Sequence, residues 1–139
     1  MKVLVTGGAG FIGSHIVDSL VDRGYEVVVY DNFSTGLIDN LQNSQNRIEI
    51  VRGDILDYEL LEKTMKGCDA ISHHAAQLEI FLSISSPAED LKQNTIGTLN
   101  VLRAAKKNNV KKLINASSAC VYGQTESASR ENDDVMPNW

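Results

Sequence analysis

Two cysteines in 139 residues, Cys68 and Cys120, have neither the spacing of a metal site nor that of a redox motif. A disulfide scaffold and a zinc-stapled minidomain are excluded, no metal ligand set is expected, and the usage suits a reducing compartment. Long apolar runs are lacking too, and none approaches the roughly 20 residues needed to cross a bilayer. Met1-Lys2 leads straight into a strand-like run rather than a signal peptide, so a cytoplasmic protein is expected. There is no internal repeat, no interdomain linker and no G-x-S-x-G elbow of a serine hydrolase. Positive charge is in deficit, 13 Lys and Arg against 18 Asp and Glu for a net −5. That balance disfavours nucleic acid and gives no support for a membrane surface. The one basic cluster, Arg103, Lys106, Lys107, Lys111 and Lys112, falls mostly late in a predicted helix, where cations suit the negative terminus.

What remains is an ordinary globular composition, 42% apolar and 22% charged. The length fits one domain over 1–139, burying roughly two-thirds of its unfolded surface. Strand-like runs at 2–6, 26–31, 47–54, 69–76 and 112–117 alternate with helical patterns at 12–24, 57–66 and 87–109. The first helix repeats Ile12, Ile16 and Leu20 at helical spacing and stops at Gly24; the last repeats Ala88, Leu91, Leu99, Leu102 and Ala105. Such alternation predicts an α/β fold, a doubly wound parallel sheet of about five strands with crossover helices on both faces. After Gly123 the composition turns polar, and 124–139 reads as a loop or tail.

The stretch "VTGGAGFIGSH" contains two glycine registers, Gly8-Gly10-Gly13 as G-x-G-x-x-G and Gly7-Gly10-Gly13 as G-x-x-G-x-x-G. Either one follows a buried strand and opens an amphipathic helix, so backbone N–H groups and the helix dipole face a pyrophosphate. A side chain at Gly10 would block close backbone approach to that group, and one at Gly13 is expected to push the helix off the sheet. Asp31 ends the second strand eighteen residues after Gly13. A carboxylate there can accept hydrogen bonds from an adenosine ribose and repels the 2′-phosphate of NADP. No basic residue in "DNFSTG" counters it, so NAD is the expected cofactor. His73 and His74 do not read as a metal pair, because adjacent strand residues point to opposite faces. His15 reads as a packing or surface residue.

These segments together resemble the extended short-chain dehydrogenase/reductase family (Rossmann fold), and within it the NAD-dependent sugar-nucleotide epimerase/dehydratase enzymes of the UDP-glucose 4-epimerase-like kind. "TGGAGFIGSH" is similar to that family's cofactor loop, implying the register Gly7, Gly10, Gly13, with Phe11 and Ile12 at the cofactor. "DNFSTG" resembles the segment that wraps the adenosine ribose, implying roles for Asp31, Asn32, Ser34, Thr35 and Gly36. "GDI" implies that Asp54, with Ile55, contacts the adenine. "HHAAQ" resembles the fourth-strand end that passes under the cofactor, implying Ala75, Ala76 and Gln77. "NTIGTLNVL" implies that Asn94 supports the site, and "SSACVYG" resembles the strand carrying Ser117 and the catalytic Ser118.

The resemblance implies hydride transfer at sugar C4 through a 4-keto intermediate, with a nucleotide sugar, a UDP-hexose, as partner. Dehydratases of this family usually place Asp-Glu or Ser-Glu after the Ser/Thr, to supply an added acid and base; here Ala119-Cys120 follows Ser118, so epimerisation leads. A 4,6-dehydratase or related enzyme and a stand-alone NAD-binding module are the alternatives. The family's base is a Tyr-x-x-x-Lys pair, and none of Tyr25, Tyr30, Tyr58 and Tyr122 has Lys four residues on. The sequence therefore reads as the N-terminal part of such an enzyme, without its C-terminal substrate domain and inert alone. The full-length enzyme is expected to be a homodimer, its 87–109 helix helping to build the interface.

Overall fold

The computed structural model describes residues 1–124 and 128–137. Its sheet has five parallel strands: β1 (Lys2–Thr6), β2 (Glu26–Asp31), β3 (Ile48–Arg52), β4 (Ala70–His73) and β5 (Lys112–Asn115). Their order is β3-β2-β1-β4-β5, so the direction of winding reverses between β1 and β4 and leaves a crevice at their carboxyl ends. All five expected strands are present, but the last three stop early. β3 ends where Asp54 turns the chain by accepting from Leu56 N at 2.9 Å. β4 gives way after His73, because His74 N bonds back to the Thr6 carbonyl and the chain then leaves the ladder. β5 ends at Asn115, so Ser117 and Ser118 lie beyond the strand rather than on it.

The first crossover is α1 (Phe11–Asp22), which covers Val3, Val5, Val27 and Val29 on one face. The second uses two short 3-10 turns, Ile38–Leu41 and Gln45–Arg47, in place of a helix. The third, α2 (Tyr58–Thr64), crosses to the opposite face, over Leu4, Val28, Tyr30 and Ile71. The expected helix over 87–109 is a composite. It consists of α4 (Pro87–Leu91), a π-helical segment (Lys92–Ile96) and α5 (Gly97–Lys107), preceded by an unforeseen α3 (Ile80–Ser85).

Both long helices bury a face turned away from much of their predicted apolar stripe, although Ala105 is buried as expected and Leu20 packs against the core. On α1 the buried residues are Gly13, Ser14, Val17 and Val21, whereas Ile12 is 62% exposed. Ile16 and Leu20 line an open cleft of about 320 Å³ beside Ala70 and Ile114. Small residues decide this, since Gly13 and Ser14 let the helix start against the loop before it. On α5 the buried face is Gly97, Asn100, Val101, Ala104 and Ala105, while Leu99 and Leu102 remain about half exposed. A Cβ on Gly97 would lie 2.4 Å from the Ile55 side chain, and Asn100 Nδ2 donates to the Ile55 carbonyl at 3.1 Å. Two members of the basic cluster face α2: Lys107 Nζ meets Glu62 at 2.7 Å and the Arg103 guanidinium lies 4.8 Å from the Tyr58 ring.

A buried polar chain ties three elements together. Thr6 Oγ1 accepts from His74 N and Ala75 N at 3.3 and 3.4 Å, so its proton goes to His73 Nδ1 at 2.6 Å. The Nε2–H of His73 then donates to Thr98 Oγ1 on α5 at 3.0 Å. Burial, with neighbouring His74, lowers the His73 pKa from 6.5 to about 4.

Two outcomes are expected. Val101→Ala should cost about 1.5–3 kcal/mol by urea unfolding, and Leu102→Ala no more than about 0.5 kcal/mol. The unfolded chain takes up a proton at His73 that the folded protein refuses, so stability present above pH 6.5 is lost as pH falls toward 4. Between pH 7 and 4.5 the parent should lose about 2–3 kcal/mol more than His73→Gln does. Parallel pH profiles would mean that the buried imidazole carries charge.

Candidate functional site

The residues after β1 are shaped by contacts that only glycine allows. Gly7 has φ +68, and a Cβ there would lie 2.6 Å from Ala75 N and 2.7 Å from the His74 carbonyl carbon. A Cβ on Gly13 would lie 2.1 Å from Gly7 O, so a side chain would strike the glycine loop itself rather than lift the helix from the sheet as expected. At Gly10 the situation is opposite: its Cβ would meet only Gly7 O, at 3.2 Å, with open space beyond. Gly8 packs against the Val29 side chain and is not part of that opening. Gly10 also caps α1 with no side-chain acceptor, leaving the first-turn N–H groups to an anion from outside. The space at Gly10 and this helix start fit a pyrophosphate. Phe11 and Ile12 are exposed at the same edge, and Phe11 meets His15 edge to face at 5.1 Å.

Asp31 closes the next side of the crevice. It is only 7% exposed; Oδ2 accepts from Ala9 N at 2.9 Å and Oδ1 from Phe33 N at 2.8 Å. Each oxygen keeps a second lone pair for another donor. The Ala9 carbonyl accepts from Leu37 N and Asn40 Nδ2, and a Cβ on Gly36 would come within 3.0 Å of Ala9. Asn32 accepts from Ser34 N and donates to Asp54 Oδ2 at 3.0 Å. The segment 31–40 is thus tied to the glycine loop and to Asp54, with Ser34 and Thr35 exposed between the ties. Tyr30 donates its hydroxyl to the Asp54 carbonyl at 2.9 Å, and burial, then Asp57 and Asp54, raises its pKa. Ile55 is buried under Gly97 and works as an anchor.

On the β4 side, Ala75, Ala76 and Gln77 run past Gly7. Asn94, in the π-helical segment, accepts from Gln77 N at 2.8 Å and returns Nδ2–H to Gln77 O at 3.1 Å. A third bond, from Nδ2 to Asp90 at 3.0 Å, fixes the amide orientation, so one side chain holds this loop as a strand neighbour would. Ser117 and Ser118 follow β5, the strand next to β4, and both are exposed. Ser118 Oγ accepts from Cys120 N at 3.2 Å and opens a 3-10 turn over Ala119–Tyr122. Bonds or close contacts therefore join the glycine loop, 31–40, Asp54, 75–77 and Asn94, while Ser118 stands apart from that network.

Two residues at this edge escape a reading by motif. Arg52 is the register partner of Asp31 across β2 and β3, and its guanidinium lies 5.1 Å from the centre of the Phe33 ring. The register that pairs Arg52 with Asp31 appears only in the structure, because the sequence pattern carries the third strand on to residue 54. Among the described residues no group of three His, Cys, Asp or Glu side chains could hold a metal. His73 and His74 hydrogen-bond to different partners, Thr6 with Thr98 and Ser72 respectively. No helix of the described residues is long and apolar enough to cross a membrane.

Known proteins share this arrangement. The chain is 36% identical over 135 residues to the bifunctional UDP-glucose 4-epimerase and UDP-xylose 4-epimerase 1 of Pisum sativum, covering 90% of this chain and 39% of that protein. It is 42% identical over 125 residues to UDP-glucuronic acid decarboxylase 1 of Arabidopsis thaliana, covering 88% of this chain and 27% of that one. The crystal structure of the Thermus thermophilus UDP-glucose 4-epimerase complex with NAD superposes with a TM-score of 0.84 at 39% identity, over 99% of this chain and 45% of that one. The chain thus spans less than half the length of these relatives. With residues 3–139 matching its family model, the chain belongs to the NAD dependent epimerase/dehydratase family.

Proposed function

We propose that this chain binds NAD across the carboxyl edge of its sheet and is the cofactor-binding portion of a UDP-hexose 4-epimerase. The observation that carries the reading is the glycine loop, where Gly7 and Gly13 are packed shut and Gly10 alone opens onto the N-terminus of α1. The pyrophosphate rests on those N–H groups. Asp31, still able to accept, takes the adenosine ribose hydroxyls together with Asn32, Ser34, Thr35 and Gly36. Asp54 and Ile55 border the adenine, and Ala75, Ala76 and Gln77, held by Asn94, run beneath the cofactor beside Ser117. When bound, NAD supplies the hydride acceptor for sugar C4. Ser118 hydrogen-bonds the reacting hydroxyl and orients it. The proton itself needs a base, and the sequence contains no Tyr-x-x-x-Lys to supply one.

Ala119 and Cys120 give no added acid and base for eliminating water, which favours epimerisation over dehydration. A sibling activity on UDP-sugars is the second reading, supported by the 42% identity to the decarboxylase. A cytoplasmic location and, at the relatives' full length, a homodimer complete the proposal. The half-exposed Leu99 and Leu102 of α5 support the dimer.

Titration of the 139-residue chain should give tighter binding of NAD than of NADP, and Asp31→Ala should narrow the gap by about 1.5–3 kcal/mol, one charged hydrogen bond. Gly10→Val should abolish NAD binding with near-native circular dichroism; unchanged affinity would put the cofactor elsewhere. The same chain should not interconvert UDP-glucose and UDP-galactose, because loss of general acid–base catalysis removes about 10²–10⁴-fold and substrate positioning is lost as well. Sustained turnover would overturn the roles of Ser118 and of the absent base.

A further inference from the structure

Phe33 has a left-handed backbone, φ 58, which is costly for a bulky aromatic residue. Three contacts hold it there. Its N–H donates to Asp31 Oδ1, its ring packs against the core cluster under α1, and the Arg52 guanidinium stacks 5.1 Å from the ring centre. Arg52 is exposed, and among the described residues it forms no salt bridge. Its neighbours are Phe33, Ile38 and Ile50, with which it lines an open pocket of about 360 Å³. As register partners on adjacent parallel strands, Arg52 and Asp31 project from the same face of the sheet, with strands about 4.8 Å apart. A cation with no salt bridge among the described residues therefore lies one strand from the carboxylate proposed to accept the adenosine ribose.

We infer that Arg52 is a cofactor-selectivity residue whose guanidinium Phe33 holds away from the ribose, so that Asp31 alone faces the 2′ position. The inference rests on the proposal that the chain binds NAD, and deepens it. A guanidinium binds phosphate through paired N–H donors and is the natural partner of an adenosine 2′-phosphate. Stacked on Phe33, it leaves the 2′-hydroxyl to Asp31. Released, it offsets the repulsion that Asp31 exerts on the phosphate.

The test is a double-mutant cycle on the 139-residue chain, with NAD, NADP and adenosine 2′,5′-bisphosphate as probes. Phe33→Asn keeps a residue that tolerates left-handed backbone and removes the ring. It should raise NADP affinity relative to NAD by about tenfold or more, the worth of one charged hydrogen bond. Adenosine 2′,5′-bisphosphate should gain in parallel. Adding Arg52→Gln should cancel that gain, whereas Arg52→Gln in the parent should move the ratio far less. Phe33→Gly, which relieves the backbone outright, serves as a second variant if Phe33→Asn does not fold. Equal NADP/NAD ratios in the Phe33 variant and the double variant would overturn the inference, as would an equal effect of Arg52→Gln in both backgrounds. A parent that binds NAD but gives either result leaves the NAD reading standing; a parent that binds neither dinucleotide overturns both.

Discussion

The carboxylate of Asp31 accepts from Ala9 N and from Phe33 N at once, and the geometry of the crevice follows from that double engagement. One bond fixes the middle of the glycine loop and the other turns the chain back after β2. The returning segment then covers Ala9 with Leu37 and Asn40, and its own Asn32 reaches Asp54. A carboxylate buried to this degree must be satisfied, and backbone donors satisfy it without a counter-charge. The same group thus builds the site and keeps spare lone pairs for a ligand.

A second constraint is the close approach of backbones at places where a Cβ has no room. Gly7 lies against Ala75 after β4, Gly13 seats the start of α1 on the glycine loop, and Gly97 brings α5 onto Ile55. Such contacts turn small residues inward and larger ones outward. Leu102 and Ile12 are exposed because their neighbours Val101 and Gly13 take the inner face.

Strand positions and the parallel sheet were legible because buried parallel strands are nearly uniform apolar runs, as in "VVVY" of β2. The glycine register, Asp31 and the Asn94 segment were legible as motifs, and each falls at the carboxyl edge of the sheet. Helix faces were not legible. Periodicity marks the apolar stripe, but backbone proximity at Gly13 and Gly97 decides which stripe is buried. The amide clamp of Asn94 on Gln77 depends on a π-helical segment that no simple period announces. Arg52 was hidden for a different reason, because its meaning depends on register between strands 21 residues apart in number, Asp31 and Arg52.

The contact between Gly7 and the start of the β4 loop also joins distant parts of the chain. Thr6 and Ala75, which bond across this contact, are 69 residues apart. Gly7 N also donates to the Tyr30 carbonyl of β2 at 2.9 Å, a contact only 23 residues long, so the turn has one near support and one distant one. Long-range pairings of this kind come late and slow the approach to the native state. The finished glycine loop therefore belongs to the non-local contacts of the fold, since it closes only when β4 pairs with β1.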